Sequence, residues 1–474
     1  MKFKIVACSL IMFSNFAAAL SMVPADPRAQ ARKLYFSLTG VTPSTRELDL
    51  LEVKMESNKN EAALDIIDQR NEIKNGGAFY TVTVKDMVTP WTNKDGSTLS
   101  PLNDMSATII GWIRDNKQFN QILYTDSVYK AAGVTFKGEL KYFPKNQYPG
   151  TIANAQQLCD RDIPAADRAD RTKSFWIIHN DPFNPNDRNA KKCMATKYNE
   201  TQLNGFYALD ALLLPHLDLV IETNLIASTN AHFESISALG LDLGDPRLLN
   251  HSSQEVKLHA YPQAISGLMT TRAYGAAYVI AGTNRAPVAF AMKNFLCKDM
   301  EELNDTTIPD LRNRRDVDRS PGGTSATYKT RCIGCHAGMD GLAGAYAYYD
   351  YTTEKLIYKP GVVSTKMNHN VVFNEGFVTQ SDQWINLWVE GQNASLGWGQ
   401  TTVGEGVKSL AVMLSETEAF HSCMAKQVYE KVCFRKVSTV WDKTRVKNLT
   451  SSYKSDSFNM KNLFINASLS CLGD

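Results

Sequence analysis

The chain carries almost no excess charge of either sign: 51 lysines and arginines face 49 aspartates and glutamates. Without Lys2 and Lys4, which sit in the leader described below, 49 face 49. So balanced a chain lacks the basic footprint that nucleic acid or an anionic membrane surface calls for, and neither is an expected partner. Beyond its leader it has no apolar run approaching the roughly eighteen residues needed to cross a bilayer, so no membrane span is expected. Internal repeats and low-complexity tracts are missing as well. Histidine is sparse, at 8 in 474 residues, and no His-x-x-x-His occurs. Nor is there a second Cys-x-x-Cys, so a structural zinc site lacks the second ligand pair it would need.

What is present is one Cys-x-x-Cys-His, at Cys332-Ile333-Gly334-Cys335-His336. Two thiols three positions apart lie about one helical turn from each other, the right separation for thioethers to the two vinyl groups of one porphyrin. The adjacent imidazole then lies under the ring, where it can ligate iron. The pattern predicts one covalently attached haem c, held by Cys332, Cys335 and His336. Arg319, shortly before the motif, is a candidate partner for a propionate, because a planar guanidinium suits a carboxylate.

Such attachment takes place outside the cytoplasm, and the N-terminus reads accordingly. Lys2 and Lys4, an apolar run from Ile5 to Phe16 and the small residues Ala17-Ala18-Ala19 make a signal peptide over 1–19. Cys8 falls within it. Of the eight other cysteines, two go to haem, and the remaining six suggest up to three disulfides in an oxidising compartment. Cys159 and Cys193 bracket a polar stretch and are expected to pair. Cys423 and Cys433 lie too far apart on one helix to bridge each other, and either can meet Cys297 or Cys471.

The length suggests two or three domains. We read an N-terminal helical domain over 20–149, then a middle helical domain over 150–298 with a long polar loop at about 155–200. A haem-binding region with C-terminal helices follows over 299–474. Helical spacing over 31–40 stops at Gly40, and Ser44 with Glu47 predicts a capping box. A run from Asn204 to Ile226, with His216 inside it, reads as helix. So does Val288 to Leu296. Ser415 and Glu418 have capping-box spacing ahead of a stripe of Phe420, Met424, Val428 and Val432. A calcium loop at Asp181–Asp187 is the weaker alternative to a solvated turn, since the twelve-residue ligand pattern is absent. Tyr346, Tyr348, Tyr349 and Tyr351 read as wall packing around a large apolar cofactor. The expected fold is mainly α and multi-domain, with a C-terminal cytochrome c-like haem segment and few short strands.

Several of these stretches are similar to one family. The segment from Cys332 to Leu342, with Asp340 inside it and Asp350 after it, resembles planctomycete-type cytochrome c proteins. Arg32-Lys-Leu-Tyr35 through Gly40-Val-Thr-Pro43 resembles the opening of their N-terminal domain. Gly267 to Thr271, Phe295 to Cys297, and Glu418 to Arg435 resemble further elements of theirs. Gly341 departs from the pattern, where proline is commoner. The resemblance implies one haem, export and a mainly helical build.

The second axial ligand decides the chemistry. A thioether stabilises ferrous iron and makes an electron carrier, whereas an open position admits ligands and peroxide. Met367 is the leading candidate and His369 the runner-up, with Met269 or no protein ligand as further alternatives. Met339 is too near His336, and Met413 and Met424 read as core. We therefore expect a periplasmic electron-transfer protein working with a redox partner protein. The alternatives are a haem peroxidase or oxidase, or a scaffold with structural haem.

Overall fold

Pro27 sits at the first position of helix α1 (Pro27–Thr39), where its missing N–H is one that no helix bonds internally. Gly40 ends that helix at φ 71°, a left-handed conformation that a Cβ makes costly. Helix α2 (Thr45–Ser57) opens on the expected capping box: Ser44 accepts from the Glu47 N–H, and the Ser44 N–H donates to the Glu47 carboxylate at 2.8 Å. Helix α3 (Lys59–Ile67) packs with both. The computed structural model describes residues 26–136, 140–143, 174–178, 191–196, 217–221, 231–238, 240–254, 261–352 and 355–472. The leader 1–19, Cys159, the calcium candidate and His216 lie outside these residues.

Helix α4 (Asp104–Arg114) is capped by Asn103, and it stops where the sequence pattern breaks, at Asp115 and Asn116. Beyond it, β1 (Ser127–Phe136), β5 (Leu217–Ile221) and β6 (Leu249–Ser253) form an antiparallel sheet in the order β5-β1-β6. Three more strands, β2 (Leu140–Phe143), β3 (Ser174–Ile178) and β4 (Lys191–Thr196), form another in the order β2-β4-β3. β5 corrects the helix read over 204–226. Leu217, Leu219 and Ile221 alternate with Asp218 and Val220, and they pair antiparallel with Ala132 to Phe136. A period of two beside a long strand gives the backbone a ladder partner, which outweighs a short local helical pattern. The middle region is therefore not helical throughout.

Helix α5 (Ala231–Ala238) packs on β1. Helix α6 (Ala286–Leu296) ends at Cys297, as its apolar run suggests. Cys332 caps helix α7 (Ile333–Ala343), which carries the rest of the Cys-x-x-Cys-His pattern. Two small antiparallel pairs follow: β7 (Tyr349–Thr352) with β8 (Lys355–Tyr358), and β9 (Gln383–Ile385) with β10 (Val403–Glu405).

Helix α8 (Gly406–Ser415) leads to α9 (Glu418–Val432), whose cap is Thr417 and not the Ser415–Glu418 box. Ser415 still belongs to α8, and its hydroxyl bonds back to the Val412 carbonyl at 2.8 Å. Thr417 Oγ1 takes over and accepts from the Phe420 N–H at 3.0 Å. Phe420, Met424, Val428 and Val432 are all buried, as the stripe predicts. Helix α10 (Val440–Ser455) was not read from the sequence, although Thr439 and Asp442 form a capping box at its start. Helix α11 (Met460–Ser470) closes the described chain.

The described residues are mainly helical. One apolar cluster runs from Ala31 to Leu472, across the boundaries read at 149 and 298. α1 packs on α11. Ser37 Oγ donates to the Val432 carbonyl at 2.6 Å, and Trp91 Nε1 to Gln427 Oε1 at 2.9 Å. First and last helices thus share an interior. Among the described residues two disulfides staple it, Cys297–Cys423 and Cys433–Cys471, which settles the choice that spacing left open. Among the described residues no helix is long and apolar enough to cross a membrane.

Candidate functional site

Glycines set the position of α7. Gly334, Gly338 and Gly341 recur at i, i+4 and i+7 and so line one helical face. A Cβ there would lie 2.7 Å from the Asp305 backbone N, 2.1 Å from the Trp388 ring and 2.6 Å from the Ile385 carbonyl O, respectively. The helix backbone is therefore pressed against the protein along this face. Any side chain at 341 would meet the Ile385 carbonyl, so glycine stands there.

Cys332, Cys335, His336 and Met339 fall on the opposite face. Both thiols are free and half-buried, whereas Cys297, Cys423, Cys433 and Cys471 are all bridged. The Cys335 thiol donates to the Met300 carbonyl at 3.2 Å, and burial pushes its pKa up. The His336 side chain is 25 % exposed.

His336 Nδ1 lies 3.5 Å from Asp340 Oδ1, one turn on. An ionised carboxylate only accepts, so in this contact the ring donates from Nδ1. The Asp340 side chain is fully buried. Arg285 grips it at both oxygens, with Nη2 2.9 Å from Oδ2, and the Arg314 N–H donates to Oδ2 at 3.0 Å. Burial alone would raise the Asp340 pKa. The hydrogen bonds from Arg285 and His336, with the Arg314 and Arg285 charges, hold it well below the usual carboxylate range. Arg285 also clamps Asp316 in bidentate fashion, at 2.6 and 2.7 Å.

Arg314 extends this cluster. Its side chain is 1 % exposed, with Nη2 3.7 Å from Asp340 Oδ1. Nη1 donates to the Thr283 carbonyl at 2.7 Å and to Met367 Sδ at 3.3 Å. Met367 is thus buried and joined to His336 through Arg314 and Asp340. His369, two residues on, is exposed. Met269 is fully buried in the shared core.

Arg319 is sandwiched between the rings of Tyr328 and Phe373, at 4.8 and 4.6 Å from their centroids. Its Nη1 and Nη2 are spent on the carbonyls of Val317 and Asn313. Nε makes no hydrogen bond but stands 3.6 Å from the Asp310 carboxylate. The other buried cationic donors without a hydrogen bond in this stretch are Arg314 Nε and Nη2, the latter ion-paired with Asp340, and Arg315 Nε. Buried cationic donors left open in this way call for an acceptor.

The tyrosines after α7 turn inward. Tyr346 and Tyr349 are buried, with hydroxyls donating to the Met269 and Ala264 carbonyls at 3.3 and 2.7 Å. Sequence reasoning assigned no role to Arg285, Arg314, Asp316 or Asp340. The one local signal was an acid four residues after the motif histidine. Compared with family models, curated proteins and solved structures, the chain has no match.

Proposed function

We propose that the chain is an exported mono-haem c-type cytochrome that passes single electrons between protein partners in the periplasm. The observation that carries the reading is the pair of free thiols at Cys332 and Cys335. They share one helical face with His336, whereas Cys297, Cys423, Cys433 and Cys471 are all bridged.

The residues present fit haem c. Cys332 and Cys335 would hold its two vinyl carbons and His336 its iron. The Nε donors of Arg314 and Arg315, which make no hydrogen bond, are of the chemistry that carboxylates such as propionates require. Leu311, Val371, Val372 and Val378 are exposed large apolar residues of the two segments joined by hydrogen bonds from Val372 and Phe373 to Arg315 and from Phe377 to Asn313. When bound, the group supplies a one-electron couple. The chain's own part is to fasten it, to hold the His336 ring and to keep water from the Asp340 side.

A carrier would hold its iron with a second protein ligand, for which Met367 is the sequence candidate; it is buried, with its sulfur accepting from Arg314. That contact favours a second reading, an oxidase or peroxidase whose position opposite His336 is open to small ligands. Mass spectrometry of the exported chain tests the shared premise: a mass increased by one haem is expected. An unmodified mass with Cys332 and Cys335 free or joined to each other would end both readings. Spectra of the reduced protein with carbon monoxide then separate them, since a methionine-ligated carrier resists the ligand and an open site takes it up at once.

A further inference from the structure

We infer that Asp340 is a positioning residue for the iron-ligating His336, set in a buried, charge-balanced unit of Arg285, Arg314, Asp316 and Asp340. The inference rests on the haem c reading but not on the identity of the second axial ligand.

The geometry carries it. His336 and Asp340 stand one turn apart on α7, with Nδ1 3.5 Å from Oδ1. The remaining acceptor capacity of Asp340 is taken by Arg285 and by the Arg314 backbone. The carboxylate therefore cannot swing away from the ring without giving up its bonds to Arg285 and to the Arg314 N–H and taking the nearest carboxylate from the buried Arg314 guanidinium. Two positive and two negative groups balance before His336 is counted, so the unit offers the ring a fixed acceptor that orients it. The contact fixes both the tautomer and the ring plane. It also lends the imidazole anionic character, which makes it a stronger donor to iron and favours the ferric state.

Asp316 supplies the control. It faces the same Arg285 at 2.6 Å, yet no contact joins it to His336. Asp316→Asn removes one carboxylate charge from the unit, as Asp340→Asn does, but leaves the ring contact intact. The test uses the full, haem-loaded chain. Redox titration at fixed pH is expected to show Asp340→Asn favouring the reduced form about tenfold more than Asp316→Asn does, or about 59 mV for a one-electron couple. Equal shifts in the two variants would reduce Asp340 to a general charge effect and overturn the inference.

A second measurement needs no variant. Proton NMR of the wild-type holoprotein is expected to show a His336 Nδ1–H that exchanges slowly with solvent. Rapid exchange would refute the contact even if Asp340→Asn fails to fold. A wild-type chain that carries no haem defeats the underlying reading instead. A haem-loaded chain in which the two variants behave alike defeats only the role of Asp340.

Discussion

Gly338 and Trp388 stand so close that no methyl group fits between them: a Cβ on Gly338 would lie 2.1 Å from the indole. Trp388 is fully buried, so it has no free space to move into. This contact presses α7 against the 387–389 turn and leaves the opposite face for Cys332, Cys335 and His336.

Gly338→Ala should therefore destabilise the protein although alanine favours helices. Overpacking of this kind costs about 1–3 kcal/mol. Urea denaturation is expected to show a lower midpoint with an unchanged slope. A midpoint equal to or above that of the wild type would mean that α7 is not held by this face.

The disulfides should differ in weight. Cys297–Cys423 spans 126 residues and Cys433–Cys471 spans 38. Chain-entropy arguments assign each bridge roughly 2–5 kcal/mol and favour the longer loop by about 1 kcal/mol. Paired serine variants, compared by chemical denaturation, should rank in that order. The reverse ranking would mean that packing at the bridge outweighs loop closure.

His421 should make stability fall with acid. It is buried, stacked on Phe458 at 4.8 Å, and its Nδ1 has no partner among the described residues. Burial, helped by the Lys454 charge, pushes its pKa down to about 4. The folded state thus disfavours the proton that the unfolded chain takes up near its ordinary value of about 6.5. Stability is full above about 6.5 and is lost as the pH falls towards 4, by up to about 3 kcal/mol. Denaturation at pH 7 and pH 5 measures the loss, and His421→Leu should flatten the profile. A slope unchanged in that variant would assign the loss to other groups.

Asp104 should tie α4 to the segment after Thr271. Its buried carboxylate accepts from the N–H groups of Arg272 and Ala273, at 2.6 and 2.9 Å. Asp104→Ala leaves both donors open, at a cost of about 1–3 kcal/mol for each one that stays buried. The fall in thermal midpoint should exceed that of an exposed control, Asp95→Ala. Equal midpoints would place these donors in contact with water.

The local sequence determined a good deal here. Gly40, Ser44 with Glu47, and the stripe from Phe420 to Val432 act within a turn or two of themselves, so their helices are legible without any fold. The spacing that puts Cys332, Cys335 and His336 on one helical face is of the same kind, because it acts within one turn. Only the tertiary structure decided the rest. Leu217–Ile221 became a strand because β1 offered a partner, and Cys297 met Cys423 because α6 packs on α9. Arg285 and Arg314 reach Asp340 from 55 and 26 residues away, a separation over which no sequence period carries information. Burial then made that meeting specific, since a carboxylate and guanidinium groups removed from water have to find one another.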